Sequence, residues 1–343
     1  FVINSLFSGA YRIPGRLASR HYRFEEGRAF QAQALEVDEH DHEARLLLAF
    51  DLLRLGKDAE ARGELEAVFA ADPYSVRAYN LLEAADAIDG FETVDRGIFR
   101  LQLPEYEKNL MGDDLLALLD EASELYEEKY KIDLKTPVVV QVFDDHDVFM
   151  VRSVGLPGSA GHLGICFGQL VTMDSPRARP LGSMNWRRVL WHEFVHVITL
   201  QKTNNRMPRW LSEGISVYEE YTGDDAWGQR LDANFESVVN GNGYPTLEDL
   251  NRYFTTPGSA TELMFGYFAS GEFVKFYVDA YGHEALLRVL DRIGQGENTT
   301  DVVVAESQET ASELNLRFDA HMRVRCASFD QLAEHSVFKM GLA

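Results

Sequence analysis

Only two cysteines, Cys166 and Cys326, occur in 343 residues. Two thiols that far apart make neither a disulfide framework nor a paired-cysteine metal knuckle, and whether they pair is left open. Long apolar runs are missing as well. The richest stretch, Leu46 to Leu55, is interrupted by Asp51 and Arg54. A membrane-spanning helix needs roughly 20 predominantly apolar residues, so no span is expected in this chain. Basic residues are scarce: 33 Lys and Arg against 55 Asp and Glu leave a formal net charge of −22. A chain of that sign repels phosphate backbones, which argues against nucleic acid as a partner. What remains is an ordinary globular composition, 45% hydrophobic and 26% charged, and not that of collagen, a disordered tail or a disulfide-rich miniprotein. The length exceeds one ordinary core and predicts two domains, possibly three. The first residue is Phe1, so the sequence carries no information about a targeting segment.

Residues 27–90 read as helices. Leu46, Leu47, Phe50, Leu53 and Leu55 form an apolar pattern that stops at Gly56-Lys57-Asp58. A second helix follows with Ala61, Leu65 and Val68, closed by Asp72-Pro73. Two helices, a glycine turn and a closing proline fit one copy of a 34-residue helical repeat. Ala34 to Asp38 echoes Val68 to Asp72 one period earlier, and Val76 to Ala87 looks like the first helix of a further copy. These features resemble tetratricopeptide repeats, with one good copy and two degraded ones. An unrelated array of helical hairpins would give a similar pattern. Such repeats bind partners or act as spacers; they carry no chemistry. His40-Asp41-His42 has metal-capable groups but reads as a solvated helix start.

Beyond Gly90 the pattern changes. Gly97 to Leu103 suggests a short strand, Leu115 to Tyr130 a helix, and Pro137 to Phe143 a buried β-branched strand. A glycine-rich stretch, Gly155 to Gly168, precedes another strand at Gln169 to Met173. Arg187 to Leu200, Leu211 to Tyr221, Gly266 to Tyr281 and Glu284 to Ile293 read as helices, and the last thirty residues, with Phe318, Met322 and Phe329, as a closing helical segment. Strands first and helices after predict an α+β domain.

The most informative residues are His192-Glu193-Phe194-Val195-His196, an HExxH motif between Val189-Leu190-Trp191 and Val197-Ile198. Helical spacing of four places both histidines on one face, where two imidazoles can hold one zinc ion. Glu193 lies about 100° around the helix. It can reach a water on the metal without taking a ligand position. A catalytic zinc needs a third protein ligand. Glu213, in Pro208-Arg209-Trp210-Leu211-Ser212-Glu213-Gly214, is the candidate; Ser212 is expected to cap the helix there, placing Glu213 in its first turn. Glu219 and Glu220 are the reserve ligands. The competing reading of Glu213 is a surface glutamate on an amphipathic helix. Trp191 and Trp210 read as core beside the site.

HExxH followed by PRWLSEG resembles the gluzincin metallopeptidases, in particular the bacterial peptidase MA-like domains that follow tetratricopeptide repeats. The resemblance covers roughly residues 95–325. It implies a thermolysin-like catalytic domain and one zinc per chain, with His192, His196 and Glu213 as ligands and Glu193 as catalytic base. Gly266 to Val274 resembles a helix of the same family and implies that Tyr267 lies near the cleft, a candidate oxyanion donor, with His283 a weaker one. The chain departs from better-known relatives. The aminopeptidase signature GxMEN is absent, which favours an endopeptidase. The spacing from His196 to Glu213 is shorter than in thermolysin-like enzymes. Val217 stands where those enzymes place a bracing carboxylate, which leaves Ser216 and Glu220 as guesses for the groups behind the histidines. The resemblance tilts the compartment toward a bacterial envelope or exported setting.

The expected organisation is therefore a TPR-like segment at 1–90, a metallopeptidase domain at 91–330 and a tail at 331–343. The expected partners are a peptide or protein substrate and a protein docked on the repeats. Gly161 to Met173 could offer a strand edge to an extended peptide or be plain structure. The rival function is a zinc-binding scaffold with weak or no catalysis.

Overall fold

The computed structural model describes residues 7–158 and 161–327. The expected tail at 331–343 and Phe329 lie outside them. The chain divides into two compact units, Phe1–Gln201 and Lys202–Ala343, and the cut falls at the last residue of one helix. The fold is mixed α and β, mostly helical with a small sheet.

The first unit opens with five helices, α1 (Gly9–Arg20), α2 (Phe24–Val37), α3 (His42–Arg54), α4 (Asp58–Ala71) and α5 (Val76–Asp89). Successive helices pack on one another. Their bounds repeat: α2 and α4 begin at Phe24 and Asp58, and α3 and α5 at His42 and Val76, both pairs 34 positions apart. Asp41 caps α3 by accepting from the Ala44 amide, so the His40-Asp41-His42 run is a helix start. Leu48, Leu52, Leu53, Leu65, Val68 and Leu81 form the interior.

A hairpin follows, β1 (Glu92–Arg96) and β2 (Phe99–Leu103), then α6 (Glu105–Tyr130), β3 (Val138–Phe143), α7 (His146–Val154), β4 (Gly164–Cys166), β5 (Leu170–Asp174) and α8 (Trp186–Lys202). The five-stranded sheet has the order β1-β2-β3-β5-β4. β2, β3 and β5 run parallel; β1 and β4 are antiparallel edges. β3 and β5 are buried nearly throughout, as the β-branched run around Val138 requires of strands covered on both faces. Phe99 of β2 meets Phe194 of α8 edge to face, and Tyr126 of α6 meets Trp191, so α8 lies against both the sheet and α6. Arg152 of α7 donates to the Leu53 carbonyl and to Asp58, which ties the sheet to the helical array.

The second unit is helical among its described residues: α9 (Arg209–Gly223), α10 (Phe235–Asn242), α11 (Arg252–Thr255), α12 (Ala260–Tyr281), α13 (His283–Gly294), α14 (Thr299–Ser307) and α15 (Ala311–Arg325). α9 and α12 cross closely because glycines stand at the crossing. A Cβ on Gly214 would come 2.6 Å from the Ser270 carbonyl oxygen, and one on Gly271 2.5 Å from a Val217 methyl. Aromatic rings fill the rest, with Phe273 of α12 touching Trp210 of α9 and Phe318 of α15. A capping box at Thr310 and Glu313 starts α15. The buried Glu272 carboxylate of α12, held by His321 and Arg325, pins its far end.

Candidate metal centre

α8 is hydrophobic on almost every side. Leu190, Trp191, Phe194, Val195, Val197, Ile198 and Leu200 are all buried, which fixes the rotation of the helix and so the direction of its two histidines. His192 and His196 stand one turn apart with their Nε2 atoms 3.2 Å from each other. Two imidazoles bound to one metal at 2.0–2.1 Å with tetrahedral angles would hold their nitrogens roughly 3.3 Å apart. The pair is therefore set at the spacing that a shared ion demands.

Glu193 is buried on the same helix. The edge strand β4 passes directly over it: a Cβ on Gly164 would lie 2.6 Å from the Glu193 Cγ and 2.8 Å from its Oε1. Only a residue without a side chain lets the strand approach so closely. Cys166, two positions along β4, is a free buried thiol. Burial first, and the Glu193 charge second, push its pKa well up, so it is a packed thiol and not a nucleophile. Cys326 is buried as well.

Glu213 sits on α9. The helix begins at Arg209 with Pro208 at the cap position and no side-chain cap, so Ser212 does not cap it and Glu213 lies in the second turn. Proline carries no N–H to be satisfied and its fixed φ suits a helix start; that moved the beginning three residues ahead of the serine. Glu213 is buried, and its Oε1 accepts from Arg209 Nε at 3.1 Å. One ligand atom from each of His192, His196 and Glu213 lies within 4.8 Å of the others. Two neutral nitrogens and a carboxylate are the donor set of a His₂Glu zinc site, so these residues fit the metal. Glu219 and Glu220 are buried too but fall outside this group, and Glu219 accepts from the Thr222 hydroxyl.

Tyr267 is half-buried on α12. Its hydroxyl accepts from Arg209 at 3.4 Å and its ring meets Phe254 edge to face. His283 is the first residue of α13, and Trp191 and Trp210 are core. The sequence reasoning passed over Arg209 and Gly164. Arg209 could have been noticed from its spacing of four to Glu213; nothing in the sequence marks Gly164 among the neighbouring glycines.

Residues 179–323 match the family model of the Peptidase MA superfamily. No curated protein matches the chain. The matched segment contains both histidines, Glu193, Glu213 and Tyr267, and supports a peptidase MA-like domain over that part of the chain.

Proposed function

We propose that this chain is a zinc-dependent metallopeptidase of the gluzincin type, acting within peptide and protein chains. The observation that carries the reading is the convergence of the two HExxH imidazoles and the PRWLSEG carboxylate on a space one ion could fill. The family match to a peptidase superfamily supports it. When bound, the ion would supply Lewis acidity toward a water and a peptide carbonyl.

The protein's own residues do the rest. His192, His196 and Glu213 hold the ion, one per chain. Glu193 accepts the proton as water adds to the scissile carbonyl and passes it to the leaving nitrogen. Its burial under Gly164 supports that role, because a fixed base loses little freedom on reaction. Tyr267 donates to the developing oxyanion. The outer edge of β4, the strand that overlies Glu193, seats an extended peptide by backbone pairing. The thermolysin-like fold and the division into a repeat segment at 1–90 and a catalytic domain at 91–330 belong to this reading. So does a protein partner on α1–α5, which the 34-residue recurrence of helix bounds supports.

Glu193→Gln provides the test. The variant keeps the shape of the side chain and loses the base, so it should retain about one zinc per chain while peptide hydrolysis falls by roughly 10²–10⁴-fold. Equal hydrolysis by both forms, or none by either, would leave the zinc-binding scaffold as the better reading.

A further inference from the structure

We propose that Arg209 is a positioning residue for the metal centre: its guanidinium locks the Glu213 carboxylate and the Tyr267 hydroxyl into one array. The inference rests on the metallopeptidase reading and extends it to a residue outside the proposed ligand set.

Arg209 opens α9 and stands one turn before Glu213. Its Nε donates to Glu213 Oε1 at 3.1 Å, and a terminal nitrogen reaches the Tyr267 oxygen at 3.4 Å. The guanidinium carbon lies 5.8 Å from the centre of the Phe254 ring, and that ring meets Tyr267 at 5.1 Å. Three helices, α9, α11 and α12, thus meet on one cation. The Arg209 side chain is 50% exposed and that of Glu213 only 10%, so contacts rather than burial fix the arginine.

Helix stability does not explain the residue. The first turn of a helix favours acidic side chains and disfavours cations. A charge pair spaced by four is also weaker with the cation first than with the acid first. α9 has no acidic residue in its first turn and a cation at its first position. An arginine placed against both preferences acts on what it touches. Toward Glu213 it fixes the plane of a carboxylate that must meet the ion in one orientation, as hydrogen-bonded neighbours of metal ligands do. Toward Tyr267 it supplies a donor. The phenol oxygen accepts, which leaves the phenol's own proton to be given elsewhere. One guanidinium therefore prepares the acidic ligand and the oxyanion donor together, and lysine, a single point of charge, reproduces only part of this.

The test is zinc affinity by competition with a fluorescent chelator, on the full chain as wild type, Arg209→Met, Arg209→Lys and His196→Ala. Arg209→Met should bind zinc roughly 10–100-fold more weakly than wild type. Arg209→Lys should fall between them, and the metal-free unfolding midpoint should stay that of wild type. Zinc binding by Arg209→Met as tight as wild type, or tighter, overturns the proposal while leaving the metal centre intact. Failure of wild type itself to bind more tightly than His196→Ala removes the metal centre and the proposal with it. Should Arg209→Met unfold early, Arg209→Lys decides. Weakened zinc at unchanged metal-free stability supports the role, and wild-type affinity overturns it.

Discussion

At the scale of single residues, the pairing of the HExxH histidines was legible because its period is short. HExxH needs only the helical repeat to bring two imidazoles together, and the apolar residues around it fix which way they face. Glu213, the proposed third donor, groups with the two histidines, although the reason given for its place was mistaken: Pro208, not Ser212, precedes the helix. Arg209 and Tyr267 are 58 residues apart, and no local pattern foretells their meeting. The same holds for Asp51. It sits within the leucine-rich stretch of α3, buried against Ser19 of α1, with Gly27 of α2 leaving it room. Burial pushes its pKa up to about 7, against the Ser19 hydrogen bond and the Arg54 charge. A carboxyl raised above its unfolded value of 3.8 stabilises the fold fully below that value and loses the contribution as pH rises through about 7. Asp51→Asn should therefore gain urea resistance relative to wild type between about pH 4 and about pH 8. A difference in midpoint that does not change with pH would contradict the assignment.

At the scale of elements, the long buried pieces were legible and the polar starts were not. The strands at Val138 and Leu170 and the helices at Trp186 and Ala260 follow the apolar pattern. α6 begins ten residues before its apolar pattern, at Glu105. Its first turn buries Glu107, which accepts from Ser175 across 68 residues of chain; burial raises the pKa of that carboxyl. β1 is almost wholly exposed, so it shows no apolar run and went unread. Two substitutions test the close approaches that place the site. Gly164→Ala drives a methyl into Glu193, and should keep zinc while lowering hydrolysis on the order of a hundredfold, the effect of misplacing a reacting group by about an ångström. Wild-type turnover would show that β4 does not hold the base. Gly214→Ala forces α9 from the backbone of Ser270 and should cost about 1–3 kcal/mol of stability, read by urea unfolding. An unchanged midpoint would mean the crossing yields freely.

For the whole molecule, composition stated broad class and little else. A net charge of −22 says nothing of a sheet and fifteen described helices; the N-terminal array was read over 27–90 from its apolar pattern and turn residues, and α1 lies ahead of that stretch. The family match covers 179–323 and leaves the array outside it. Metal removal connects chemistry to stability. Zinc at a hundred times its dissociation constant should stabilise the folded chain by about 2.7 kcal/mol relative to the chelated form, seen as a fall in melting temperature on adding a chelator. His196→Ala should show no such fall.

The central claim is that two imidazoles and one carboxylate grip a single ion. Diffraction from zinc-loaded crystals at the zinc absorption edge tests it most directly. The account predicts one anomalous peak roughly 2.0–2.2 Å from His192 Nε2, His196 Nε2 and a Glu213 carboxylate oxygen. A peak held by other residues, or none beside this pair of histidines, would contradict it.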